Sequence, residues 1–128
     1  MSILLDTHAM LWFVLKDPQL SAGAHHAIRF RSADAFISPA SFWEVAIKVR
    51  RGNYRLTVPF NVFFETALEK NGFKILPITI KHAAQVAELP LIHRDPFDRL
   101  IVAQALVEDL SLVTRDSILD QYGIKRIW

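Results

Sequence analysis

The sequence contains no cysteine. That excludes disulfides and cysteine-ligated zinc, and it fits a reducing compartment. No apolar run approaches the ~20 residues that a membrane helix needs. The opening stretch MSILLDTHAMLWFVL has no basic leader and is interrupted by Asp6 and His8, so it does not read as a secretory signal. These absences point to a cytoplasmic protein without a membrane partner. A global basic footprint is missing too, since the net charge is only +2. Locally, Val45 to Val58 holds Lys48, Arg50, Arg51 and Arg55 and no acid. Such a patch suits an anionic partner, and equally suits an ordinary solvated helix end. Repeats, low-complexity tracts and linker-like segments are absent as well, which leads to the expectation of one domain over residues 1–128.

What is present is an apolar chain. Hydrophobic residues make up 52% of the 128 residues and charged residues 22%. A chain of this length buries roughly two-thirds of its unfolded surface, enough for a core without staples, with apolar surface left over for a partner. ILL (3–5), AFIS (35–38), FKILPI (73–78), SLVT (111–114) and IKRIW (124–128) read as short strands. Helices are expected over Thr7–Leu15, from Ser21 to Phe30, through ASFWEVAIKVRRG, from Pro59 to Lys70, from Thr79 to Glu88 and from Asp95 to Glu108. Short continuous apolar strands alternating with helices predict an α/β fold, with a mostly parallel sheet covered on both faces. Ligands in such sheets bind beyond the carboxyl ends of the strands.

The acids are therefore read by their place on that edge. Asp6 directly follows the first strand and Asp116 follows SLVT, and each is also a natural helix N-cap. Glu44 lies in the first turns of the helix after the second strand, where an i,i+4 pair with Lys48 is the ordinary explanation. In HRDPFDRLIVAQA, Asp95 reads as the N-cap, Pro96 as the first helical residue and Asp98 as the acidic end of a capping box. Local rules alone account for Asp98.

Electrostatics weighs on the whole set. Two carboxylates ~4 Å apart repel by about 4 kcal/mol at an effective dielectric of 20. A fold that gathers four such groups needs a proton or a cation to compensate. Hard oxygen donors without cysteine suit Mg²⁺ or Mn²⁺, whose usual work is phosphoryl chemistry. The five histidines are scattered, without metal-ligand spacing on a single element, and His8, which follows the first acid motif, reads as structural. Trp12, Phe13, Trp43, Phe63 and Phe64 read as core or interface.

LLDTH (4–8), SFWEVAIKVRRG (41–52), HRDPFDRLIVAQA (93–105) and LVTRD (112–116), taken in this order, resemble PIN domains, and among them the VapC-type toxins of bacterial toxin–antitoxin pairs. The resemblance spans essentially the whole chain. It implies a Rossmann-like three-layer fold, an endoribonuclease dependent on Mg²⁺ or Mn²⁺, a VapB-like antitoxin partner and a homodimer. Carried over position by position, its acidic quartet falls on Asp6, Glu44, Asp98 and Asp116, as metal ligands and catalytic groups. Asp95, Thr7 and Thr114 match assisting positions, and Lys48, Arg50, Arg51, Arg99 and Arg115 are candidates for RNA phosphates. The stretch NYRLTVPF (53–60) carries no substrate information over.

Other classes fare worse on the residues. A haloacid-dehalogenase-like phosphotransferase needs a second aspartate two residues after the first, and that position is His8. A receiver module needs paired acids after the first strand, where only Asp6 stands. A catalytically idle binding module of the PIN fold, and a DNA- or flap-directed nuclease using the same acids, both stay open at this level.

Overall fold

The computed structural model describes residues 2–128. Five short strands form one all-parallel sheet in the order β3-β2-β1-β4-β5. They are β1 (Ile3–Leu5), β2 (Ala35–Ile37), β3 (Lys74–Ile75), β4 (Ser111–Val113) and β5 (Lys125–Ile127). Helices α1 (Thr7–Val14), α2 (Ala22–Arg29), α3 (Pro39–Arg50), α4 (Phe60–Asn71), α5 (Ile80–Glu88) and α6 (Pro96–Glu108) cover it, and a 3-10 helix spans Ser117–Tyr122. This is the expected Rossmann-like α/β architecture.

The period-2 geometry of a strand sorts the apolar runs into two cores. Ile3, Leu5, Ile37 and Val113 face one layer, packed with Met10, Ile28 and Phe64 from the helices. Leu4 and Leu112 face the other, with Ile101, Val102 and Leu119. Both faces are therefore buried, which is why these strands are continuously apolar.

Helix starts follow local chemistry. Ser21, Ser38 and Thr79 accept amide hydrogen bonds at the N-termini of α2, α3 and α5. Gly72, at φ +62°, ends α4 in the left-handed region that only glycine enters at little cost. One strand is shorter than expected. The stretch 73–78 pairs only over Lys74–Ile75, because β3 lies at the sheet edge and Pro77 has no amide to extend the ladder. Among the described residues, no helix is long and apolar enough to cross a membrane.

Topology singles out one place on this sheet. From β1 the chain moves outward to β2 and β3, then returns to the other side of β1 as β4 and β5. The strand order thus reverses between β1 and β4, and the ligand crevice of an open α/β sheet lies at such a reversal, beyond the carboxyl ends.

Candidate active site

Asp6 and Asp116 flank that crevice. Leu5 pairs with Val113, and the Asp6 amide donates to the Val113 carbonyl at 3.1 Å. Each aspartate is also an N-cap. Asp6 Oδ1 accepts from the Ala9 amide at 2.7 Å, and Asp116 Oδ1 accepts from the Ile118 amide at 3.1 Å. Capping fixes one oxygen of each carboxylate.

Glu44 enters from α3 and is buried, with 5% of its surface exposed. Two hydrogen bonds compensate that burial. Thr7 Oγ1 donates to Oε1 at 2.7 Å, and Lys48 Nζ donates to Oε2 at 2.9 Å. Since the single hydroxyl proton of Thr7 goes to Glu44, the 2.9 Å contact between Thr7 and Ser41 has Ser41 as its donor. Thr7 thus orients Glu44. Thr114 accepts from the Asp116 amide at 3.1 Å and hydrogen-bonds Asp6.

Asp98 lies in the first turn of α6. Asp95 Oδ1 accepts from the amides of Phe97 and Asp98 at 2.8 and 3.1 Å, so Asp95 is the cap, as expected. The reciprocal half of the capping box is not made. The Asp95 amide donates instead to His93 Nδ1 at 3.1 Å. An aspartate is one methylene shorter than the glutamate that usually reaches back. The Asp98 carboxylate therefore turns into the crevice.

There it meets like charge. The Asp98 carboxyl is pushed up to about 7 by burial first, then by the charges of Asp95, Asp6 and Glu44, with His93 opposing. Asp6 is also raised, chiefly by burial and in part by Glu44, against the pull of Thr114, the Ala9 amide and His8. Through these mutual effects Asp6, Glu44 and Asp98 share one electrostatic site. Asp116 joins it through a histidine: His93 Nε2 lies 3.0 Å from Asp116 Oδ2 and 3.5 Å from Asp98 Oδ2. One donor atom from each of His93, Asp98 and Asp116 lies within 4.8 Å of the others. A cluster dominated by carboxylate oxygens, with Asp98 and Asp6 both raised by burial and like charge, fits a hard divalent cation such as Mg²⁺ or Mn²⁺.

A family model described as "PIN domain" matches residues 3–125. The chain belongs to the PIN domain family. Among curated proteins it is similar to Ribonuclease VapC22 of Mycobacterium tuberculosis, with 29% identity over 116 residues, 90% of this chain and 87% of that one. Among solved structures it is similar to VapBC2 from Rickettsia felis bound to a promoter DNA fragment, at TM-score 0.76 and 16% identity over the full length of both chains. FitAcB from Neisseria gonorrhoeae superposes at TM-score 0.67 and 22% identity, covering 98% of this chain and 96% of that one.

Within this PIN domain the basic residues singled out from sequence divide. Lys48 is paired with Glu44. Arg50 and Arg51 are exposed at the far end of α3, about 9 Å or more along its axis from Glu44 at 1.5 Å per residue. Arg115 is exposed beside Asp116, with its guanidinium 6.0 Å from the Trp12 ring centre. Arg99 is not free for phosphate. Its Nη1 donates to the Pro90 carbonyl at 2.8 Å and to the Tyr122 hydroxyl at 3.3 Å. Its Nη2 donates to the carbonyls of Leu89 and Val86 at 3.2 and 3.3 Å.

Histidine is where sequence reasoning falls short. No second histidine stands at ligand spacing from His93, yet its partners in the fold are carboxylates. The local signal is its position two residues before the cap Asp95, where an imidazole can accept the cap's own amide. His8 is exposed rather than structural, and stacks on Trp12 with ring centres 5.4 Å apart. Trp43 leaves the core as well: it is 65% exposed and packs edge-on against Phe97.

Proposed function

We propose that this chain is a divalent-metal-dependent endoribonuclease, the toxin half of a VapBC-type toxin–antitoxin pair acting in the cytoplasm. The observation that carries the reading is the meeting of Asp6, Glu44, Asp98 and Asp116 at the strand-order reversal, where the Asp98 carboxyl is pushed up to about 7. The similarity to a VapC ribonuclease supports RNA as the substrate. Asp6, Asp98 and Asp116 would hold Mg²⁺ or Mn²⁺, with Glu44 beside them. The cation supplies charge neutralisation at the scissile phosphate and lowers the pKa of an attacking water. The chain's own part is positioning. Caps at Asp6 and Asp116 and the Thr7 bond to Glu44 hold the carboxylates in place before substrate arrives. Arg115, exposed at the rim, is placed to meet a backbone phosphate.

The partners follow from two apolar surfaces. A groove of about 720 Å³ runs between α1, α2 and α4, floored by Phe13, Val62 and Phe63 and rimmed by Lys16, Arg29 and Lys70, with no acid in its lining. An amphipathic antitoxin segment carrying acids beside its apolar face complements it. A second face, around Trp43, Ile78, Phe97 and Leu100, offers apolar surface for a homodimer.

Purified protein incubated with RNA and Mn²⁺ or Mg²⁺ is expected to cleave it, with chelation abolishing cleavage. Asp98→Asn is expected to lower the rate by about 100-fold or more, as loss of one oriented charge does in polar sites. Cleavage that survives Asp98→Asn unchanged overturns the assignment. Cleavage of matched DNA but not RNA moves it to a DNA-directed nuclease, and metal binding without cleavage to an idle module.

A further inference from the structure

His93 lies outside the acidic quartet, yet both of its ring nitrogens have partners in the crevice. Its ring is held from both sides. The Asp95 amide points at Nδ1 from 3.1 Å, so Nδ1 is the acceptor nitrogen. A neutral imidazole has one donor and one acceptor, so Nε2 carries the proton. That N–H lies 3.0 Å from Asp116 Oδ2 and 3.5 Å from Asp98 Oδ2. A protonated nitrogen has no lone pair to give a cation. In this tautomer His93 is a hydrogen-bond donor to carboxylates and not itself a metal ligand.

The backbone around it is clamped as well. The His93 amide donates to the Tyr122 hydroxyl at 2.8 Å, tying the loop before α6 to a buried residue of the 3-10 helix that follows Asp116. Arg99 reaches back from α6 to the Pro90, Leu89 and Val86 carbonyls and to the same Tyr122 hydroxyl. His93 thus bridges two acids that sit on separate elements, Asp98 on α6 and Asp116 beyond β4. Asp116 Oδ1 is already held by the Ile118 amide, so the His93 bond to Oδ2 fixes the carboxylate at both ends.

We propose that His93 is a positioning residue that sets the spacing and orientation of Asp98 and Asp116 for a divalent cation, and that Arg99 and Tyr122 hold the loop that aims it. The inference rests on reading the acids as a metal site, but not on which nucleic acid is cut. Hydrogen-bonded partners behind metal ligands usually matter 10–100-fold for affinity.

Three substitutions separate aiming from folding. His93→Asn keeps an oxygen near the Nδ1 position to accept the Asp95 amide, but its side chain is too short to reach the carboxylates. His93→Gln places an amide N–H near the Nε2 position. His93→Ala loses both. Mn²⁺ affinity, read from the spectrum of free Mn²⁺ by electron paramagnetic resonance, is expected to fall about 10–100-fold in His93→Ala and His93→Asn. It is expected to recover most of the way in His93→Gln, with far-ultraviolet circular dichroism unchanged throughout. Bound Co²⁺ is expected to show the same d–d absorption in wild type and His93→Gln. A Co²⁺ band that shifts in His93→Gln makes His93 a direct ligand and overturns the positioning role. Unchanged Mn²⁺ affinity in a folded His93→Asn also overturns it, as does a wild type that binds no Mn²⁺. A wild type that binds Mn²⁺ and fails to cut RNA defeats the ribonuclease reading alone.

Discussion

Asp98 is held near neutrality by burial and by the like charge of Asp95, Asp6 and Glu44. The folded carboxyl sits at about 7 against an ordinary 3.8, so between those values the fold keeps a proton that the unfolded chain has released. Its contribution to stability therefore falls as pH rises through that window. Asp98→Asn removes the effect. Metal-free Asp98→Asn is expected to melt close to wild type at pH 4, and on the order of 5 °C or more above it at pH 8. A melting difference that does not change with pH refutes burial and like charge as the source of the raised carboxyl. The same proton must leave before a cation binds, so Mn²⁺ affinity should climb as pH rises toward 7 and then level off.

At the scale of elements, the loop before α6 depends on Arg99. Five hydrogen bonds join its guanidinium to the carbonyls of Val86, Leu89, Pro90 and His93 and to the Tyr122 hydroxyl, so its removal leaves those acceptors short of a donor. Arg99→Ala is expected to cost about 2–3 kcal/mol in urea unfolding, and Arg99→Lys to recover little, because an ammonium cannot span the fork. A loss below about 0.5 kcal/mol would return Arg99 to the role of a surface cation. The contrast between Arg99 and Asp95 also marks what is legible in the sequence. Asp95, Ser21 and Thr79 cap helices by contacts two or three residues away, so composition near each helix start exposes them, whereas Ser38 reads as the end of the strand AFIS and caps α3 instead. Asp6 and Asp116 can be read as site residues because a parallel sheet puts all its strand ends at one edge. The His93 bond to Asp116 spans 23 residues, and no local rule announces it. Arg99 likewise reads as a phosphate binder in sequence, since its partners are carbonyls that any residue supplies. The short β3 is illegible for a similar reason: edge position is decided by strand order and not by FKILPI itself.

For the molecule as a whole, the two apolar surfaces lie on different helices and should be separable. A peptide with an apolar helical face flanked by acids is expected to bind the groove of α1, α2 and α4. Val62→Asp should weaken it at least tenfold, about 1.4 kcal/mol, without changing self-association. Phe97→Asp is expected to leave peptide binding intact and to shift a dimer toward monomer in light scattering. Peptide binding that ignores Val62→Asp rules out this groove, and a particle mass unaffected by Phe97→Asp rules out that face.

Strand pairing also places the acid cluster in time. Leu5 and Val113 are direct neighbours in the sheet although 108 residues separate them, and Asp6 meets Asp116 only once that pairing exists. A ribosome adding roughly 5–20 residues per second makes Asp6 and then needs about 5–20 s more to reach Asp116. During that interval the growing chain holds one half of the crevice and lacks the other, so any activity of the site begins only after β4 has emerged. A protein that cuts RNA would in this way be silent while its own message is still being read.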